Sequence, residues 1–209
     1  MSYTQPTETE AAERRLSLQP FDEYNVRVLY STYALFGTPL THLDLGSGSG
    51  AVVKVARKLG VDAIGVDVIA EAPDVQWDLT KPLYLSKIDN GIRPLAEATS
   101  YEPKQFTLIT CIEVAEHLPP EAAQTLCATI HRHLEPRGLL VFTSALPGQA
   151  GDHHQNLIPP FEWRGLMWEA GLSWLPYETS RLAHIWTLTS GSLHHLPANM
   201  QAFTTREGW

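Results

Sequence analysis

Cysteine is scarce in this chain: there are two in 209 residues, Cys111 and Cys127. Their spacing fits neither a disulfide framework nor a zinc cluster, so both are expected as small buried apolar residues in a reducing cytosol. Charge is thin as well, 18% of residues with no dense run of Lys or Arg, and the formal net charge is −8. That balance speaks against a nucleic-acid backbone or an anionic membrane as the main partner. No apolar run approaches a membrane span, and the opening MSYTQPTETEAAERR lacks the apolar core of a signal peptide. The expectation is a soluble, cytoplasmic protein with a polar arm over residues 1–20 and one domain over 21–209. No repeat, low-complexity tract or long linker divides it.

What is present is alternation. Phe21, Tyr24, Val28, Thr32 and Leu35 recur at helical spacing and stop at Gly37 and Pro39. LTHLDL (40–45) is a short apolar run closing on glycines, as in a buried parallel strand. GAVVKVARKLG (50–60) is a one-faced helix, and DAIGVDV (62–68) a second strand. Strand, glycine turn, helix and strand in so few residues make a βαβ unit, which implies a parallel sheet with right-handed crossovers. The spacing then predicts a strand over 105–112, a helix over 119–134, a strand over 138–146, a helix over 159–171 and a strand over 172–177. Residues 180–189 fit either a strand or a helix, and their one-sided pattern favours a helix; a last strand follows in 197–205.

In an open α/β sheet the ligand sits at the carboxyl ends of the strands, where strand order reverses. Gly46, Gly48 and Gly50 fall there after the first strand. Gly46, Gly48 and Ala51 satisfy a loose dinucleotide fingerprint, with Asp67 about 20 residues on, so a nucleoside whose ribose hydroxyls meet Asp67 is expected. Asp44 separates the ligands: a pyrophosphate is repelled by a partly desolvated carboxylate, whereas an ammonium or sulfonium is attracted. S-adenosylmethionine carries both a ribose and a cationic end.

LDLGSGSG, IGVDV, VQWDLTKPL, FTLITCIEVAEHLPPE and EPRGLLVFTSALPGQ, in this order, resemble the motifs of class I S-adenosylmethionine-dependent methyltransferases over about residues 40–150. The resemblance implies a Rossmann-like α/β fold: a seven-stranded, mostly parallel sheet with an antiparallel last strand and helices on both faces. It implies that Asp44, Gly46, Ser47 and Gly48 line the methionine part of the donor, that Asp67 holds the ribose, and that Val68, Asp78 and Leu79 meet the adenine. Ile112 and Glu113 match the segment beneath the methyl donor.

Two stretches offer groups for the methyl acceptor. IEVAEHLPPE leaves the fourth main strand at the carboxyl edge with Glu113, Glu116 and His117. A similar E-V-x-E-H run in some related O-methyltransferases, including ubiquinone-pathway enzymes, is linked to a divalent metal, but no metal is assigned here. LPGQAGDHHQN (146–156) resembles a P-G-Q-G-G-x-x-H-x-N pattern in a bacterial and phage-associated branch, with Ala150 in place of a glycine and Leu157-Ile158 in place of the usual Glu-Gln. His154 is read as the general base or acceptor contact, with His117 and Glu116 as its catalytic companions and Gln149 and Asn156 as acceptor-binding groups. His153 is the bystander. His131 and His133 sit near a helix C-terminus, where an imidazolium is favoured; His194 and His195 stand in a polar turn. Trp163, Trp168, Trp174 and Trp186 are read as mostly core, and the helices at 21–36 and 178–190 as the cover of the pocket.

The reading is methyl transfer to a small-molecule or sugar acceptor, with oxygen preferred over nitrogen as the attacking atom. A donor-binding partner without turnover and a nicotinamide-dependent oxidoreductase remain as rivals. A nucleic-acid methyltransferase is disfavoured by the absence of a basic face and of an Asn/Asp-Pro-Pro-Tyr signature.

Overall fold

The computed structural model describes residues 8–68, 74–88, 91–94, 102–189 and 196–206. His194, His195 and the first seven residues of the expected arm lie outside them.

Helix α1 runs Glu8–Phe36, then β1 Thr41–Leu45, α2 Ala51–Lys58, β2 Asp62–Asp67 and β3 Val75–Gln76. A hairpin follows, β4 Leu85–Ile88 and β5 Gly91–Pro94. The chain continues through β6 Phe106–Ile112, α3 Ala123–His133, β7 Leu134–Thr143, α4 Pro160–Glu169, β8 Leu172–Trp174, α5 Pro176–Thr189, α6 Leu196–Asn199 and β9 Gln201–Thr205. The main sheet has seven strands in the order β3-β2-β1-β6-β7-β9-β8. β9 is antiparallel to both neighbours, and the other pairings from β3 to β7 are parallel. This is the Rossmann-like sheet that the sequence pattern implied, with its reversal of strand order between β1 and β6.

The strands are mostly apolar because helices cover both faces, with His42, Asp44 and Thr110 as buried polar exceptions. Leu43, Leu45, Ile64, Val66, Ile109 and Phe142 pack with Leu126, Ile130, Trp163 and Met167 of α3 and α4. Ala63, Leu108, Ile112 and Val141 pack on the opposite face with Tyr24, Val28, Val52, Ala56, Leu182 and Trp186 of α1, α2 and α5. The tie between α1 and α5 is an edge-on contact of Tyr24 with Trp186, 4.7 Å between ring centres. Cys111 and Cys127 are both buried free thiols.

Several local expectations are corrected. α1 passes through Pro20, since a proline can kink a helix rather than end it when both flanking segments keep helical dihedrals. Leu134 is the first residue of β7 and not the last of α3, because it pairs with Phe106 and the ladder then slips by a bulge before Leu108. The expected strand over 197–205 opens as the short helix α6, and only its second half joins the sheet. Residues 75–76 form an edge strand too short to show a period.

His133 is not a helix-end cation. It is fully buried; Nδ1 lies 2.7 Å from the Lys104 carbonyl, and Nε2 lies 3.2 Å from the Leu83 carbonyl and 3.3 Å from the Leu85 nitrogen. Burial first of all pulls its pKa below the ordinary histidine value. Trp168 and Trp174 are not core either: both are exposed, with the guanidinium of Arg206 over the first and that of Arg164 over the second, at 4.4 and 3.7 Å. Among the described residues, no helix is long and apolar enough to cross a membrane.

Candidate active site

The chain leaves β1 through a turn whose tightness has a steric cause. Gly46 has φ +76°, and a Cβ there would lie inside the Val114 side chain, which follows β6. Only glycine lets the β1 turn and the segment after β6 approach this closely. The N–H groups of Gly46 and Ser47 both donate to the Val66 carbonyl, at 2.8 and 3.1 Å, and the Gly48 N–H donates to Asp67 Oδ2 at 2.8 Å. The two acids expected at the donor therefore flank one turn, Asp44 from β1 and Asp67 from β2.

Asp44 is 5% exposed and makes no ion pair among the described residues. Its Oδ1 accepts the Thr110 hydroxyl at 2.6 Å. Burial pushes its pKa up to about 7; the Thr110 bond opposes that and the neighbouring Asp67 adds to it. A carboxylate so placed is short of positive charge, and a cationic ligand would supply it.

Two further observations fit a donor carrying a nucleoside and an amino-acid end. The hydroxyls of Ser47 and Tyr24 are buried without a hydrogen-bond partner among the described residues. The N-terminal helix also reaches the turn, where the Ser49 hydroxyl donates to Asp22 at 2.7 Å. Asp22, Tyr24 and Ser49 escaped the sequence reading, because nothing in an amphipathic period says which helix end meets a loop.

At the position expected to meet the adenine, Asp78 Oδ1 accepts both the N–H and the hydroxyl of Thr80, at 3.0 and 2.7 Å, which closes a local turn. Leu79 is buried in the core, and the Val68 carbonyl accepts the Gln76 side-chain amide at 3.0 Å.

The acceptor-side residues converge from two segments. Glu113, at φ +52°, directly follows β6; its N–H donates to the Thr143 hydroxyl at 2.9 Å and its Oε1 accepts from Asn199 Nδ2 at 3.3 Å. Asn199 and Gln149 also exchange side-chain amide bonds of 3.1 Å, so the Gln149 side chain is spent on holding its loop to α6. The backbone N–H groups of Gln155 and Asn156 donate to the Glu116 carbonyl, at 2.9 and 3.1 Å, and lock the 146–156 loop onto the segment after β6.

Glu116, His117 and His154 then meet, one ligand atom from each lying within 4.8 Å of the others. The rings of His117 and His154 stand 5.0 Å apart, edge to face. His154 Nδ1 faces the Gln149 carbonyl at 3.4 Å, which leaves Nε2 with its lone pair. The ring lies where a Cβ on Gly151 would be. His153 is exposed, with φ +60°.

Glu116 is fully buried and neither carboxyl oxygen has a hydrogen-bond partner among the described residues. Burial, and then the charge of Glu113, raise its pKa well above the carboxylate range. Burial and the adjacent His154 lower that of His117. Two imidazoles and a carboxyl can pass a proton, and the same three donors suit a borderline divalent ion. A separate hollow of about 350 Å³, lined by Gln105, His131, Arg132 and Leu134 among others, opens at the amino ends of β6 and β7, away from these groups.

Residues 21–201 match the family model described as a methyltransferase domain. A ubiquinone biosynthesis O-methyltransferase of Methylococcus capsulatus is 28% identical over 102 residues, covering 49% of this chain and 42% of that protein. One of Xanthomonas euvesicatoria is 26% identical over 156 residues, covering 62% and 61%. The match thus spans less than two thirds of these curated relatives. A sugar N-methyltransferase structure from Streptoalloteichus sp. superposes with a TM-score of 0.61 at 14% identity, covering 99% of this chain and 97% of that one. A TehB-like methyltransferase from Corynebacterium glutamicum gives 0.61 at 18% identity, covering 93% and 99%. At such identities the structural likeness is one of fold.

Proposed function

The chain belongs to the class I S-adenosylmethionine-dependent methyltransferase family, and from that premise we propose that it transfers a methyl group from S-adenosylmethionine to an oxygen of a small molecule or sugar unit. The observation that carries the reading is Asp44, a buried carboxylate with no ion pair among the described residues, set beside a glycine turn that is itself bonded to Asp67. When bound, the donor supplies a methyl carbon already activated by its sulfonium.

The residues of the chain have two tasks. Asp44 offers charge to the cationic end, Gly46, Ser47 and Gly48 shape the wall there, and Asp67 offers a carboxylate to the ribose. Val68, Asp78 and Leu79 border the adenine, while Ile112 and Glu113 form the floor. On the acceptor side, His154 Nε2 is the group that takes the hydroxyl proton, with His117 beside it kept neutral by burial. Glu116, held protonated at neutral pH, does not compete for that proton. Asn156 and Gln149 fix the loop that carries His154.

The preference for oxygen rests on this histidine pair and on the O-methyltransferases among the curated relatives. The test is calorimetric titration with S-adenosylmethionine, S-adenosylhomocysteine and NAD. Binding of the first two is expected, and Asp44→Asn should weaken it by about tenfold to a hundredfold, the worth of a charge-assisted contact. Binding of NAD alone overturns the reading. In a screen of hydroxyl and amine acceptors, His154→Gln should reduce kcat while donor affinity stays within about twofold of the native protein.

A further inference from the structure

Asp44 does not end its hydrogen bonding at Thr110. β1 and β6 are parallel and place Asp44 beside Thr110, while His42, two residues back on β1, points to the same face. His42 Nε2 lies 2.8 Å from Thr110 Oγ1, and Tyr33 of α1 brings its hydroxyl to within 3.4 Å of His42 Nδ1. His42 is 0%, Thr110 2% and Tyr33 8% exposed.

The direction of each bond follows from counting hydrogens. An ionised Asp44 can only accept, so the one hydroxyl hydrogen of Thr110 is given to it. Thr110 Oγ1 can then only accept from His42, which must carry its proton on Nε2. Nδ1 is left bare and accepts the Tyr33 hydroxyl. Every donor in the row points toward Asp44.

We infer that Tyr33, His42 and Thr110 form a buried, one-directional relay that sets the ionisation and orientation of Asp44, which makes His42 a positioning residue for the cationic donor. What that charge serves rests on the donor reading above.

The surroundings leave the task to the relay. Among the described residues, the titratable groups that act on Asp44 from its own face are Asp67 from β2 and the Tyr33 phenol from α1, neither of them a cation, while the Cys111 thiol, next along β6, points to the opposite face. On α2, Arg57 is engaged with Asp74 and the Ala63 carbonyl, and Lys54 with the Ser49 carbonyl. His42 faces Tyr33 and Thr110, and burial pulls its pKa down to about 3, so it works as a neutral donor and not as a counter-charge. A histidine in the middle of a parallel strand has no packing advantage over the Val or Ile expected there, and its polar atoms would be costly without these bonds.

The experiment is NMR on the ligand-free protein, following the Asp44 carboxyl carbon and the His42 ring nitrogens against pH. The expected result is a neutral His42 protonated on Nε2, and an Asp44 midpoint that rises by about one pH unit in Thr110→Val and by a smaller step in His42→Leu. Thr110→Ser and His42→Gln, whose hydroxyl and amide N–H reach the same positions, should stay near the native midpoint. A second arm measures proton release on binding S-adenosylmethionine at pH 7, in buffers of different ionisation enthalpy. Release should grow in His42→Leu and return with His42→Gln. An Asp44 midpoint unchanged in both Thr110→Val and His42→Leu, or a His42 proton found on Nδ1, overturns the relay. Failure of the native protein to bind the donor overturns the donor reading instead, and the NMR arm then decides the relay by itself.

Discussion

Among the described residues, neither oxygen of the buried Glu116 carboxyl has a hydrogen-bond partner, and its chemistry follows from that. A carboxyl removed from water and facing the charge of Glu113 keeps its proton through neutral pH. Relative to the unfolded chain, where the group ionises near about pH 4.3, the folded protein gains stability from the retained proton at low pH. It loses that gain as pH rises toward the folded pKa. Glu116→Gln keeps the shape of the protonated acid and removes the ionisation. Its thermal stability relative to the native protein should therefore improve from pH 6 to pH 9, by scanning calorimetry, and methyl transfer should survive. Loss of activity in this variant together with inhibition by a chelator would assign Glu116, His117 and His154 to a metal ion, and would end the proton-transfer assignment.

Among the elements, the 146–156 loop is held by its backbone to the segment after β6 and by Gln149 to α6, and Gly151 gives it the room that His154 fills. Gly151→Ala should expel the imidazole. The expected outcome is a fall in kcat of about tenfold or more with donor affinity unchanged, since a misplacement of about 1 Å is enough to matter. Equal kcat in this variant would show that His154 is not held where the chemistry occurs.

Much of this layer was legible beforehand. The first βαβ unit, the acids of the glycine turn and the helical choice for 180–189 follow from period, punctuation and charge, whereas 176–177, expected in a strand, open that helix. The burial of Glu116 was not, because a Glu between Ala115 and His117 reads alike inside or outside until tertiary contacts exist. His42 was readable in principle: it stands two positions before Asp44 on a strand and hence on the same face, but attention rested on the glycines. The edge strand Val75–Gln76 and the β4–β5 hairpin carry too few residues for a pattern.

The whole molecule has ionisable groups buried in opposite senses. His42 and His133 are held neutral inside, so the unfolded chain takes up more protons and stability falls as pH drops from about 6.5 toward the folded value near 3 for His42. Asp44 is held against ionisation, so its contribution is full below about pH 4 and fades as pH rises through its folded value of about 7. A cationic ligand relieves that second loss. The rise in Tm produced by a saturating donor should therefore be larger at pH 8 than at pH 6, and Asp44→Asn should flatten the difference. A pH-independent rise would mean that the ligand does not meet this carboxylate.

The contact of Gly46 with Val114 has a consequence for redesign. The glycine turn after β1 and the segment after β6 interlock at that point, and the 146–156 loop is keyed to the same segment by the Asn156 N–H. A protein engineer who wished to transplant a new acceptor preference would have to move 113–117 and 146–156 as one cassette, with a residue no bulkier than valine at 114. Exchanged alone, either piece would arrive with half of its fastening missing.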